Sequence, residues 1–132
     1  VNFPDIAKIK VDPTSAREIL AAAERLPQYD NREFYSTDLQ RHVFESVRSE
    51  TFDALITEIK QRLNRWPYSA LVQGLEFDEG NRVFVAINRA FGELVARPYE
   101  KPRAQLVHYI QPTTDIVSTR GGHESERLHT DC

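Results

Sequence analysis

Near the end of the chain stands "SERLHTDC", residues 125–132, where His129 and Asp131 are separated by one residue. On an extended strand, residues i and i+2 point to the same face, so an imidazole and a carboxylate would converge on one point while Thr130 turns away. With one more histidine this pair completes a two-histidine, one-carboxylate triad, a donor set that suits non-haem Fe(II) and leaves positions open for a cosubstrate and O2. The spacing alone is weak: the chain has four histidines and 20 acidic residues, and H-x-[DE] arises readily by chance in such a composition. The alternative for His129 is a solvated histidine near the last residue. Of the others, His42 falls on a polar helix face, His108 lies inside an apolar run and suits a hydrogen-bonded structural role, and His123 follows two glycines in a loop. Cys132 is read as small core filler rather than a soft ligand.

The elements that would position this pair come in a definite order. Asp12 caps a first helix with Pro13 at its first position, Ile19, Leu20, Ala23 and Leu26 recur at helical spacing, and Pro27 ends it. "PQYDNREFYSTD" reads as a surface loop. Residues 37–66 carry a long amphipathic helical pattern that includes Leu39, Val43, Phe44, Val47, Phe52, Leu55, Ile56, Ile59 and Leu63, with a break expected near Ser49. After Pro67, "YSALVQGL" predicts a buried strand closed by Gly74. Asp78 is the expected cap of a helix through "EGNRVFVAINRAFGELV", with Val83, Phe84, Ala86, Ile87, Ala90 and Phe91 on its buried side and Gly92 near its end. "ARPYEKP" is a proline-bounded loop whose neighbouring cations Arg97, Lys101 and Arg103 are read as surface. "RAQLVHYIQP" and "TDIVSTR" are expected strands, "GGHESER" a charged loop, and "LHTDC" the start of another strand. Helices followed by strands predict an α+β fold, with residues 1–65 as a helical region and 66–132 as the start of a sheet.

The bulk properties narrow the classes. At 132 residues the chain is one ordinary domain, 40% hydrophobic and 28% charged, with a net charge of −3 and a pI near 5.8. That balance gives no electrostatic reason to expect nucleic acid as a partner, and no apolar run reaches the length of a membrane span. The start lacks the apolar core of a signal peptide, and one cysteine makes no internal disulfide, so a cytoplasmic location is expected.

"YSALVQGLEFDEGNRVFVAINRAFGELV", "QLVHYIQP" and "STRGGHESERLHTD", in that order, resemble the Fe(II)/2-oxoglutarate-dependent dioxygenases of the taurine dioxygenase and clavaminate synthase-like group. The resemblance covers residues 66–131; the first 65 carry no specific motif. It implies a double-stranded β-helix (jelly roll) core with flanking N-terminal helices. It also implies that His129 and Asp131 are the first two iron ligands, with 2-oxoglutarate as cosubstrate and O2 as oxidant. The family's third ligand is a histidine well over a hundred residues further on, followed by an arginine for the 2-oxoglutarate carboxylate. Neither has a counterpart in these 132 residues, so the chain is expected to be the N-terminal part of a longer enzyme. Related halogenases carry a small residue where this chain has Asp131, which argues against halogenation; hydroxylation is the commonest outcome in the family, with desaturation and ring formation as variants. Thr119, Arg120, Glu124 and Ser125 would lie beside the iron, where Arg120 suits a substrate carboxylate and Glu124 an amine. The small-molecule substrate is thus expected to be polar or amino-acid-like. A second class remains open: a non-catalytic binding or interaction domain with an incomplete metal site.

Overall fold

A computed structural model describes residues 4–95. The first helix, α1 (Pro13–Glu24), starts where the sequence places it: Asp12 accepts from the backbone N–H of Ser15 at 3.2 Å, and Pro13 stands at the first position. A proline there sacrifices no intrahelical hydrogen bond, because the first N–H groups of a helix have no partner within it. Its buried side is Ala16, Ile19, Leu20, Ala22 and Ala23.

The stretch expected as a surface loop is partly ordered and partly core. Residues Asn31–Tyr35 form a short 3-10 turn, capped reciprocally by Asp30 and Glu33, and Phe34 is fully buried there. One apolar side chain wedged into the interior outweighs the polarity of its neighbours, and local polarity alone conceals it. The long helical pattern divides as expected into α2 (Thr37–Val47) and α3 (Glu50–Leu63). The break has a clear cause. Ser49 adopts an extended backbone and its hydroxyl accepts from the N–H of Phe52 at 3.1 Å, which restarts the helix with a fresh cap. Leu63, on the apolar pattern, is 39% exposed.

Two short strands pair in parallel: β1 (Lys8–Lys10) and β2 (Leu71–Gln73), in register Lys8 to Leu71, Ile9 to Val72 and Lys10 to Gln73. Helices α1, α2 and α3 form the crossover between them, the kind of long connection that parallel pairing requires. The sequence expectation for "YSALVQGL" needs correction in extent and burial. The backbone turns at residues 65–68, with Tyr68 at φ 60°, so the strand begins only at Leu71. Leu71 and Val72 are half-buried and Gln73 is exposed. The pairing continues one step past β1, where Val11 N–H donates to the Gln73 carbonyl at 2.8 Å. Gly74 follows at φ +95°, and a Cβ there would stand 2.5 Å from the Val11 carbonyl oxygen, so both conformation and space demand glycine.

The last described helix, α4, is Arg82–Arg89, shorter than its apolar pattern. Ala90 caps its C-terminus, well before Val95, and Gly92 lies beyond it at φ +148°. Val83, Val85 and Ala86 are buried, and Ile87 and Ala90 half-buried. Phe84 and Phe91, expected on the buried side, are instead 53% and 44% exposed. They lie seven residues apart on one face, opposite Ala86, whereas Val85, not assigned to the core from sequence, is fully buried. The core joins Ile9 of β1, Ile19 and Ala23 of α1, Phe34, Val43 and Val47 of α2, Phe52, Leu55, Ile56 and Ile59 of α3, and the inner face of α4. Each large side chain removed from water there contributes about 1.5–3 kcal/mol. No helix among the described residues is long and apolar enough to cross a membrane.

Candidate functional site

His129 and Asp131, and the expected substrate contacts Thr119, Arg120, Glu124 and Ser125, lie outside the described residues, as do His108, His123, Cys132 and the three expected strands after residue 95. Of the histidines, His42 is described, and it is exposed on α2 as its polar surroundings imply. Among the described residues no group of three or more His, Cys, Asp and Glu side chains is placed to hold a metal ion. Two buried polar clusters stand out among residues 4–95.

The first is built on Gln40, fully buried in α2. Its Nε2 donates to the Phe34 carbonyl at 2.7 Å and to the Leu94 carbonyl at 3.1 Å, and its Oε1 accepts from the Leu94 N–H at 2.9 Å. One amide thus grips both backbone groups of Leu94 and ties them to the 3-10 turn before α2. Thr37 donates to the Glu93 carboxylate alongside, a second tie between α2 and the same segment. Together they hold the backbone at the point where the chain leaves the helices towards residues 96–132. Sequence reasoning missed Gln40, yet a signal was present. Gln40 shares a helical stripe with Val43 and Val47, and a polar residue on a buried stripe must find partners there.

The second cluster is the ion pair of Asp78 and Arg82, whose side chains are 4% and 7% exposed. Arg82 Nη2 reaches Asp78 Oδ1 at 2.7 Å, and its Nη1 donates to the Leu26 carbonyl at 2.7 Å, next to the end of α1. The expected start at Asp78 needs correction: α4 begins three residues later, with Asn81 at the N-cap in a left-handed conformation, and Asp78 reaches the helix from outside, its Oδ2 accepting from the Val83 N–H at 2.9 Å. Burial pushes the Asp78 carboxyl upward, but the hydrogen bonds from Arg82 and Val83 and the guanidinium charge outweigh it and hold the group below its usual range. Asp12, hydrogen-bonded by the Ser15 hydroxyl and N–H, is likewise lowered.

An open cleft of about 350 Å³ lies where β1 runs into α1, against the start of α3; Lys10, Asp12, Ser15, Glu50, Thr51 and Glu58 supply its polar wall. Most of these groups are already engaged. Ser15 bonds Asp12 at 2.6 Å, Thr51 donates to Glu18 at 2.8 Å, and Glu58 pairs with Arg62 at 3.2 Å. These bonds commit Asp12 and Ser15 to the cap of α1, and Thr51 and Glu58 to pairs with Glu18 and Arg62.

No family model, no curated protein and no solved structure matches the chain.

Proposed function

We propose that this chain belongs to a non-haem Fe(II)- and 2-oxoglutarate-dependent oxygenase that hydroxylates a small polar or amino-acid-like molecule. The observation that carries the reading is the "LHTD" motif at residues 128–131, preceded in order by "LVQGL", "FGELV", "QLVHYIQP" and the arginine-containing loop "STRGGHESER". The donor chemistry fits the metal: a neutral imidazole from His129 and a carboxylate from Asp131 would be two parts of a facial triad, whose third histidine and 2-oxoglutarate arginine have no counterpart in these 132 residues. When bound, Fe(II) with 2-oxoglutarate supplies the activation of O2 that hydroxylation requires. The chain's own part is to hold that centre and orient the substrate. Asp131 keeps a carboxylate at the metal position that halogenases leave open. Arg120 pairs with a substrate carboxylate through two parallel hydrogen bonds, and Glu124 takes an amine, with Thr119 and Ser125 as neutral partners. Residues 4–95 act as scaffold in this reading, with Gln40 fixing where the chain departs towards the metal motif.

The test is succinate release from 2-oxoglutarate by the full-length protein with Fe(II), across a panel of amino acids and related polar acids. Substrate-stimulated succinate that disappears in Arg120→Ala while uncoupled turnover persists supports both the activity and the substrate class. No succinate with any panel member, together with unchanged iron content in His129→Ala, would establish the non-catalytic interaction domain instead.

A further inference from the structure

The end of α3 and the turn that follows it differ from the rest of the chain in charge. Between Glu58 and Glu76 the sequence carries Lys60, Arg62 and Arg65 and no acidic residue, within a chain whose net charge is −3. Arg62 pairs with Glu58 at 3.2 Å, while Lys60 and Arg65 are exposed and neither pairs with a carboxylate among the described residues. The same stretch presents large apolar side chains to solvent. Leu63, the last residue of α3 and one turn from Lys60, is 39% exposed. Tyr68 N–H donates to the Arg65 carbonyl at 2.6 Å, closing a turn with Trp66 and Pro67 at its tip, and Trp66 and Tyr68 are 65% and 66% exposed. We propose that this end of the molecule is a peripheral docking surface for an anionic lipid membrane, with Trp66 and Tyr68 seated at the headgroup level and Lys60 and Arg65 against the anionic headgroups.

Three observations favour a membrane over other anionic partners. Indole and phenol rings have an apolar body and a polar tip and settle at the membrane–water boundary, and cations beside them meet anionic headgroups. Two rings about two-thirds exposed on a turn project outwards and take no part in lining the cleft beside β1, so the patch suits a soft, flat partner rather than a small ligand. The patch is also compact: it lies within residues 60–68, whereas a stable protein interface takes about 20–30 residues a side. Each cation brought to an anionic leaflet strengthens binding about fivefold, so two cations with two rings give weak, reversible and salt-sensitive attachment. The attachment is peripheral and stands apart from the iron chemistry.

The test is sedimentation of the full-length protein with vesicles of phosphatidylcholine containing about one-third phosphatidylserine, beside vesicles of phosphatidylcholine alone. Binding should be at least about tenfold stronger to the anionic vesicles and should fall away at about 0.5 M salt. Lys60→Gln with Arg65→Gln should weaken it about tenfold or more, and Trp66→Ala with Tyr68→Ala should do the same, with circular dichroism unchanged because all four side chains are exposed. Lipid brominated along the acyl chain should quench the part of the emission that Trp66→Phe removes. Equal sedimentation with both vesicles overturns the proposal, as does wild-type binding by either double variant or unquenched Trp66 emission in the bound protein. No sedimentation with either vesicle overturns it too, and would assign the patch to an acidic protein surface instead.

Discussion

Replacing Gln40 by leucine keeps the side chain's approximate size and removes all three of its hydrogen bonds. The Phe34 carbonyl then loses a partner in a fully buried setting, which costs about 1–3 kcal/mol. Leu94 is half-buried, so water recovers part of what its N–H and carbonyl lose, and those two bonds add about 1 kcal/mol together. The sum is about 2–4 kcal/mol, a large share of the roughly 5–15 kcal/mol that holds an ordinary domain together. Urea unfolding of the chain followed by circular dichroism should show the midpoint falling by about 1–2 M, given a slope of about 1–3 kcal/mol per molar for small proteins. Hydrogen exchange at the Leu94 amide should accelerate more than exchange in the middle of α3, because the clasp is lost locally. Gln40→Glu sharpens the test. An ionised carboxylate still accepts from the Leu94 N–H but donates nothing to the Phe34 and Leu94 carbonyls. Burial raises the folded pKa of that introduced acid above its unfolded value, so protonation favours the folded state and the deficit relative to wild type shrinks as pH falls towards about 5. A midpoint shift below about 0.3 M in Gln40→Leu, with Leu94 exchange unchanged, would refute the account of how the end of the described fold is held.

Two further outcomes follow from the same reasoning. Asp78→Ala leaves the Arg82 guanidinium buried without its carboxylate and the Val83 N–H without its acceptor, so a loss of about 3–5 kcal/mol is expected in denaturant titration. Because the Asp78 carboxyl titrates lower when folded, its contribution is fully present above about pH 5 and is lost as pH drops through the folded pKa; Asp78→Asn should therefore flatten the acid limb of the stability curve. Gly74→Ala meets both a positive φ and the Val11 carbonyl at 2.5 Å, and should cost more than about 1 kcal/mol and weaken exchange protection at Val11 N–H.

How much of this was readable from the residues depends on where the deciding interaction lies. Asp12 with Pro13, Ser49 and Gly74 act within a few residues of themselves, and the helix start, the helix break and the strand exit stand where those residues announce them. Strand β1 escaped notice because three residues, "KIK", carry too little alternation to separate from a polar terminus, although Ile9 is buried between two lysines that are not. Phe34 and Gln40 are fixed by tertiary contacts that local polarity hides. Phe84 and Phe91 were expected inside because apolar residues fall on more than one side of α4, and their spacing does not declare which side meets the core. The candidate site is a different case: its spacing and context are properties of residues 118–131, and its reading rests on sequence and resemblance.

The most direct test of the central claim is anaerobic Fe(II) titration of the full-length protein, comparing wild type with His129→Ala and Asp131→Ala. The account predicts one Fe(II) per chain in wild type, with affinity lowered at least about tenfold when either ligand is removed while unfolding midpoints stay unchanged. Equal iron affinity in all three proteins would contradict it.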